Sequence, residues 1–226
     1  MSLKGNLQSL ARDGVLRAAI NTGNRALVQQ DGDALHGISP ALAVRLADEI
    51  GAQLVPVVYS GAGKVFVDAD ANAWDVGFLA VDAMRAEKIA YTVPYISIEA
   101  TIAVRAASDI TQIDQVDRAG TTVLTATGSA YDMFLTNTLK NATLERSGTP
   151  PESFAEFQGG RCDVVAGVRQ SLEGAFDQDP DVRILSGVLT AVHQAMVLPR
   201  KDDPRIAALD DFVERAISDG FVDARS

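Results

Sequence analysis

Short apolar runs alternate with segments of helical periodicity in the first hundred residues. Three runs bounded by polar or glycine residues predict buried strands at 16–20, 54–58 and 76–80. A helix is predicted between the first two strands from an N-cap, a proline, an apolar stripe and a terminal glycine: Ser39, Pro40, Leu42, Leu46, Ile50 and Gly51. The polar residues 21–37 predict a loop long enough to line a ligand site.

The same alternation starts again near residue 100. Strands are predicted at 101–104, 121–124, 163–166, 182–185 and 196–198, and helices from Ser129 onward, at 153–158, at 170–176 and at the end of the chain. That closing helix is predicted from Asp203 as its cap, Pro204 at its start and Gly220 at its end. The pattern predicts an α/β protein of two lobes with mostly parallel sheets and right-handed crossovers. Ligands of such sheets bind at the carboxyl ends of strands, here the loops after Ile20, Ala80 and Thr125.

Composition and charge narrow the classes of function. The 226 residues are 47% hydrophobic and 22% charged, which is typical of a globular protein. A formal net charge of −10 argues against nucleic acid or an anionic membrane as partner. Apolar runs fall short of the roughly 20 residues that a spanning helix needs. The N-terminus lacks the features of a secretory signal, so the sequence fits either a cytoplasmic protein or a mature form expressed without its leader.

Motifs for catalysis, nucleotides or metals are incomplete. Residues 61–64 (GAGK) resemble the end of a P-loop, but Val58 and Val65 stand where that motif needs glycine and Ser or Thr. His36 and His193 have no metal-ligand spacing with Cys162, which is expected in the core. The segment 128–130 is not a nucleophile elbow. We therefore expect no metal, no cofactor and no catalytic constellation.

Two elements suit the binding of an anion. Residues 125–129 (TATGS) join a strand to a helix, where backbone N–H groups and the helix dipole favour a carboxylate or phosphate, and Thr127 and Ser129 add hydroxyl donors. The alternative is an ordinary helix cap. Arg85 follows the strand 76–80 by five residues, and its guanidinium suits a bidentate carboxylate contact; taken alone, it is better explained as a surface charge.

The order of these features resembles the family 3 extracellular solute-binding proteins, the amino-acid receptors of ABC importers. The resemblance covers almost the whole chain and rests on the first strand at 16–20, the helix of 37–51, the segment DVGFLAVDAMR with AYTVPY at 75–95, VDRAG followed by VLTATGS at 116–129, GRCD at 160–163, and the closing strand and helix end at 196–201 and 219–220.

The resemblance implies a two-lobe periplasmic-binding-protein type II fold, each lobe a mixed, mostly parallel sheet flanked by helices. The lobes would be 1–97 with 194–226, and 98–193, with hinge crossings near 97–99 and 192–194. It further implies a periplasmic, monomeric binding protein that closes on a small carboxylate-bearing solute, without cofactor or catalysis, and delivers it to the membrane subunits of an ABC permease.

In the family, the residues matching Arg85 and Ser129 bind the ligand α-carboxylate. Three positions that the resemblance also places at the ligand depart from the family pattern: Ala80 replaces a hydroxyl donor, Asn24 an aromatic, and Val168, which Arg169 follows, an acidic residue that pairs with the ligand ammonium. Ordinary α-amino-acid binding then needs a substitute acid or acceptor, for which Asp82, Glu99 and Asn21 are candidates. Arg169 would alternatively favour a dicarboxylate or other organic anion, or face solvent.

Two other classes of function stay open. A related lyase, such as a cyclohexadienyl dehydratase, shares the fold and the carboxylate clamp but needs a general acid, which the sequence does not single out. A sensory module would normally continue into a transmembrane and signalling segment; this sequence contains none, although a shortened chain would look the same.

Overall fold

The computed structural model describes residues 7–225, which form two compact units. Unit 1 comprises residues 7–22, Leu27–Ser97 and 193–225, and unit 2 comprises Gly23–Ala26 and Ile98–Val192. The segment Gly23–Ala26 differs from the predicted division, which placed it in the first lobe. Within unit 2, the backbone N–H of Arg25 donates to Ser171 Oγ at 3.2 Å.

Between residues 15 and 225 the chain contains eleven strands, six α-helices and four short 3-10 helices. The strands are β1 (Val15–Asn21), β2 (Gln29–Asp31), β3 (Ala34–His36), β4 (Gln53–Tyr59), β5 (Val76–Ala80), β6 (Ala90–Arg105), β7 (Thr122–Ala126), β8 (Thr143–Ser147), β9 (Val164–Val168), β10 (Val182–Ile184) and β11 (Thr190–Leu198). The α-helices are α1 (Ile38–Ile50), α2 (Ala62–Val67), α3 (Ala130–Thr138), α4 (Pro150–Gln158), α5 (Arg169–Phe176) and α6 (Ile206–Ser218). The 3-10 helices span Asp68–Ala71, Arg85–Glu87, Ile113–Gln115 and Asp223–Arg225.

Unit 1 contains a mixed sheet in the order β4-β1-β5-β11. Strand β1 pairs in parallel with β4 and β5, and β11 pairs antiparallel with β5. All five residues of β5 are buried, as expected for a central strand covered on both faces. Strand β4 lies at the sheet edge, where Pro56 is tolerated because one side of an edge strand needs no N–H donor. Because β1 and β5 run parallel, their carboxyl ends lie at the same edge of the sheet.

Unit 2 repeats this architecture with the order β6-β9-β7-β8, and β10 pairs with β6. Strands β7, β8 and β9 are parallel, while β6 pairs antiparallel with β9 and β10. Strand β9 is fully buried. The carboxyl ends of β7 and β9, which lead into α3 and α5, consequently meet at one edge.

Each unit has its own hydrophobic core. In unit 1 the core includes the single tryptophan, Trp74, which is fully buried and donates from Nε1 to the Val65 carbonyl at 3.2 Å. In unit 2 three phenylalanines pack with Cys162, which is 6% exposed. The expectation that Cys162 lies in the core is confirmed. In the described part of the chain no helix is long and apolar enough to span a membrane.

Two helix starts differ from the sequence prediction. Helix α1 begins at Ile38 with Gly37 at the N-cap, and the predicted cap Ser39 instead shares a hydrogen bond with Tyr95 Oη at 3.1 Å. Helix α6 begins at Ile206, later than the predicted cap Asp203 suggested. Ser39 thus has a tertiary partner, whereas Asp203 accepts from Arg205, two residues along the chain. Both contacts compete with local capping.

Several strands were missed because their sequences are polar or interrupted. The predicted loop 21–37 contains the hairpin of β2 and β3, whose residues are nearly all exposed. The prediction of 101–104 captured only the end of β6, since Pro94 and alternating polar residues obscure its first half. Strand β8 has the mixed sequence TLERS and was not predicted at all.

Candidate functional site

In unit 1 the candidate site is the loop that follows β5. Arg85 begins a 3-10 helix there and is only 2% exposed. Its Nη1 donates to the Ala80 carbonyl at 3.2 Å, and its backbone N–H donates to Asp82 Oδ1 at 3.0 Å. The guanidinium carbon also lies 5.9 Å from the centre of the Phe66 ring. The Arg85 guanidinium is thus held by the end of β5, the strand that its own loop follows.

Tyr91 completes this arrangement and was not singled out from the sequence. Its hydroxyl donates to the same Ala80 carbonyl at 3.0 Å. Burial raises the pKa of Tyr91 to about 12, although the Arg85 guanidinium opposes that shift. The phenol is therefore neutral at physiological pH and acts as a donor. Tyr91 lies within the segment that carried the family resemblance, but nothing in its spacing marks it as a partner of Arg85.

The other predicted residues of unit 1 lie at the same sheet edge. Asn21 ends β1 opposite Tyr59 of β4, and Ala80 ends β5 with 4% of its surface exposed. Ala80 contributes its backbone carbonyl rather than a side chain, which is the acceptor shared by Arg85 and Tyr91.

In unit 2 the segment after β7 forms an N-terminal cap of α3. Ser129 Oγ accepts from the Asp132 N–H at 3.1 Å, and Asp132 Oδ2 accepts from the Gly128 N–H at 2.8 Å. Gly128 has a φ of 68°, which places it in the left-handed region. Ala130 and Tyr131 are the first two helical residues, and their N–H groups have no acceptor one turn earlier in the helix. They are the backbone donors left for an anion.

Thr127 is placed differently from Ser129. Its hydroxyl donates to the Ser147 carbonyl at 2.5 Å, and its backbone N–H donates to the same oxygen at 2.8 Å. The side chain thus fastens β7 to β8. The predicted role of Thr127 as a hydroxyl donor to an anion gains no support from these contacts, because its hydrogen is already used.

Three buried polar atoms of unit 2 have no hydrogen-bond partner within the described residues: Asn24 Oδ1, Thr125 Oγ1 and Tyr131 Oη. Tyr131 Oη lies close to the Ser129 side chain without hydrogen-bonding geometry, and burial raises the pKa of this tyrosine. Leaving a buried polar group unpaired costs about 1–3 kcal/mol. Two of these atoms, Thr125 Oγ1 and Tyr131 Oη, belong to β7 and α3. They could therefore form hydrogen bonds that the described protein groups do not supply.

Val168 and Arg169 stand where β9 passes into α5. Val168 is 7% exposed. The Arg169 Nε pairs with Glu99 at 2.9 Å, while Nη1 donates to the Leu185 carbonyl at 3.2 Å. Its Nη2 donates to the carbonyls of residues 186 and 187 at 3.2 and 3.0 Å. These contacts engage every nitrogen of the guanidinium and neutralise Glu99. The role of Arg169 as a second anion-binding cation remains a prediction that these contacts do not favour.

The metal-ligating and nucleophilic side chains of the described residues do not form a second candidate site. Among the described residues no group of three or more His, Cys, Asp or Glu is arranged to hold a metal ion. Burial raises the pKa of the Cys162 thiol to about 11, so the thiol is protonated at neutral pH and is a poor nucleophile.

Comparisons with known proteins agree with this architecture. Residues 16–226 match the family model of bacterial extracellular solute-binding proteins, family 3. A comparison with curated protein sequences gives no match. Among solved structures, a P235GK mutant of ArgBP from T. maritima has a TM-score of 0.81 and 19% identity, over 99% of this chain and 96% of that chain.

Two further structures are similar over nearly their full lengths. A putative ABC-transporter binding component from Wolinella succinogenes DSM 1740, complexed with lysine, gives a TM-score of 0.80 at 19% identity, over 94% of each chain. The ancestral amino-acid-binding protein AncCDT-1, a precursor of cyclohexadienyl dehydratase, gives 0.80 at 19% identity, over 96% of each chain. At these identities the similarity shows the type II periplasmic-binding-protein fold. The family model shows the family: the chain belongs to family 3 of the bacterial extracellular solute-binding proteins.

Proposed function

We propose that the chain is the substrate-binding component of an ABC-type importer, located in the periplasm, and that it binds a small carboxylate-bearing solute without changing it chemically. The membrane subunits of the importer would be its partners, and the binding protein itself would act as a monomer. Family membership supports the binding role.

The observation that best supports a carboxylate-bearing solute is the placement of Arg85. A buried guanidinium held by a strand-end carbonyl, which also accepts from a neutral tyrosine, is a preorganised cation, and arginine binds carboxylates in bidentate geometry. In unit 2 the first turn of α3 offers unused backbone donors and the positive end of a helix dipole. We infer that Arg85 binds the carboxylate of the solute, and that the first turn of α3 is the anion-binding element of unit 2.

Binding assays test this assignment directly. The purified protein is screened by thermal shift and then by calorimetry against amino acids, dicarboxylates, 2-oxo acids and polyamines; the solved neighbours make arginine and lysine necessary members of the panel. Arg85→Ala is expected to weaken binding of any hit at least 100-fold, because it removes a charge-assisted bidentate contact worth about 3 kcal/mol.

Arg200→Ala is the matched control, since Arg200 is an exposed arginine of the same unit. It is expected to leave affinity unchanged. Equal affinities of the wild type and Arg85→Ala would contradict the assignment, and so would binding that is confined to compounds without a carboxylate.

A second candidate is a lyase on the same fold, which the similarity to the dehydratase precursor favours. Incubation with prephenate or arogenate distinguishes the two functions. An aromatic product formed in proportion to protein would establish an enzyme, whereas unchanged compound together with a thermal shift would support a binding protein.

A further inference from the structure

We propose that Tyr91 is a positioning residue for Arg85: its hydroxyl fixes the Ala80 carbonyl, and this carbonyl fixes the direction of the Arg85 guanidinium before a solute binds. The inference rests on the proposed function, because it concerns how the carboxylate-binding cation is held ready. It gives Tyr91 a role in binding that needs no contact with the solute.

The backbone of the loop that carries Arg85 does not by itself fix the guanidinium. Arg85 begins a 3-10 helix of three residues, within the stretch 81–89 between β5 and β6. Its backbone N–H donates to Asp82 Oδ1 at 3.0 Å, and the N–H of Ala86 donates to the Asp82 carbonyl at 2.9 Å. These bonds order the main chain, whereas an arginine side chain adds rotatable bonds whose freedom is lost when a ligand is bound. A contact that orders the guanidinium beforehand therefore raises affinity.

The peptide plane that joins Ala80 to Val81 is held from both sides. On one side the N–H of Val81 donates to the His193 carbonyl of β11 at 2.8 Å. The Ala80 carbonyl belongs to the same plane and points the opposite way. It accepts from Arg85 Nη1 at 3.2 Å and from Tyr91 Oη at 3.0 Å. Tyr91 thus holds the acceptor that the guanidinium uses.

The Tyr91 hydroxyl is a fixed donor because the core of unit 1 holds its ring. The ring packs against the buried cluster that contains Trp74 and Leu79, and Phe66 packs against the same cluster. A tyrosine side chain has only two torsion angles, so packing of the ring also places the oxygen. Since burial raises the pKa of Tyr91 to about 12, the hydroxyl keeps its proton at neutral pH.

Tyr91→Phe removes only the hydroxyl, and Tyr95→Phe is its matched control. Tyr95 is a buried tyrosine of the same strand, and its hydroxyl shares a hydrogen bond with Ser39 at 3.1 Å. Both substitutions remove one phenol hydrogen bond from unit 1. If Tyr91 only stabilised the fold, the two variants would leave the Arg85 side chain and the affinity for a solute equally unchanged.

Side-chain NMR of the protein without solute measures the mobility of the Arg85 guanidinium, and Arg85→Lys identifies its signals by their loss. In the wild type and in Tyr95→Phe, hindered rotation is expected to give separate resonances for Nη1 and Nη2. In Tyr91→Phe the two resonances are expected to merge. Separate resonances in Tyr91→Phe, or merged resonances in the wild type, would overturn the inference.

Calorimetry with L-arginine, L-glutamate and 2-oxoglutarate as probes measures the consequence for binding. Tyr91→Phe is expected to weaken the binding of each probe that the wild type binds by about tenfold, which corresponds to about 1.4 kcal/mol. Tyr95→Phe is expected to leave the affinity unchanged. Equal affinities of Tyr91→Phe and the wild type would also overturn the inference.

The two measurements keep this inference apart from the proposed function. If Arg85→Ala abolishes binding and Tyr91→Phe changes neither readout, the carboxylate-binding function stands and the inference fails. Weaker binding by Tyr91→Phe with unchanged Arg85 resonances would show that the hydroxyl contacts the solute itself, which also overturns the inference. If the resonances merge in Tyr91→Phe but no carboxylate binds to the wild type, the proposed function fails, and the ordering of Arg85 by Tyr91 stands.

Discussion

Gly37 marks the start of helix α1, which the neighbouring residues do not indicate. It stands at the N-cap of α1 with φ 105° and ψ −178°, a region that essentially only glycine adopts. A Cβ there would collide with the Leu27 carbonyl oxygen. The sequence favoured Ser39 as the cap, but its hydroxyl pairs with Tyr95, a residue 56 positions away. Local propensity could not reveal that partner.

Gly37→Ala is therefore expected to lower the free energy of unfolding of unit 1 by about 1–3 kcal/mol, through strain and collision. Urea denaturation followed by Trp74 fluorescence measures this, since Trp74 is the only tryptophan and lies in the unit 1 core. Gly32→Ala is the control: Gly32 also has a positive φ, but a Cβ there meets open space. The expected loss is smaller, and equal losses would show that the collision with Leu27 contributes nothing.

At the scale of elements, the residues before α6 show an acidic side chain that pairs with an arginine two residues along the chain and does not cap the helix. Asp203 Oδ1 accepts from the backbone N–H and Nε of Arg205 at 3.0 and 2.8 Å, and Oδ2 accepts from Nη2 at 2.6 Å. The Asp203 side chain is 6% exposed. Hydrogen bonds from Arg205 hold the pKa of Asp203 below its usual range. The helix consequently begins after this pair.

Asp203→Asn is expected to destabilise unit 1 by about 1–2 kcal/mol at pH 7, because it removes charge-assisted hydrogen bonds. A lowered folded-state pKa contributes stability that is complete above the ordinary carboxyl pKa and is lost as pH falls towards the folded value. The difference between wild type and variant should therefore shrink between pH 7 and about pH 3. Urea titrations across this range check it, with Asp202→Asn, an exposed neighbour, as control. A difference that does not change with pH would exclude the ionised Asp203 as its cause.

For the whole molecule, two single-copy residues report on the two cores separately. Trp74 lies in the core of unit 1 and Cys162, the only cysteine, in that of unit 2. Burial and a pKa of about 11 make the native thiol unreactive at pH 8, so its labelling follows the unfolding of unit 2.

A solute that binds Arg85 is expected to protect the core of unit 1, in which Arg85 lies. At 100 times its dissociation constant, binding to the native state alone adds about 2.7 kcal/mol. The Trp74 transition should move to higher urea, and Arg85→Ala should abolish that shift at the same solute concentration. The Cys162 labelling transition measures separately whether the solute also protects unit 2. A solute that shifts the Cys162 transition and leaves the Trp74 transition unchanged would contradict its assignment to Arg85.

The sequence by itself determined the α/β class, the body of α1, the buried strands β1 and β5, and the family, because periodicity and ordered motifs are carried by side chains along the chain. It also pointed to Ser129 as a helix cap, since that bond spans only three residues. Only the tertiary structure decided which groups distant in sequence form hydrogen bonds and ion pairs with each other. The polar strands β2, β3 and β8 exist because a neighbouring strand supplies hydrogen bonds, and Arg169 is occupied because Glu99 and three carbonyls surround it. The physical reason is that a polar group binds whichever partner lies closest in space, and the linear order of residues does not contain that distance.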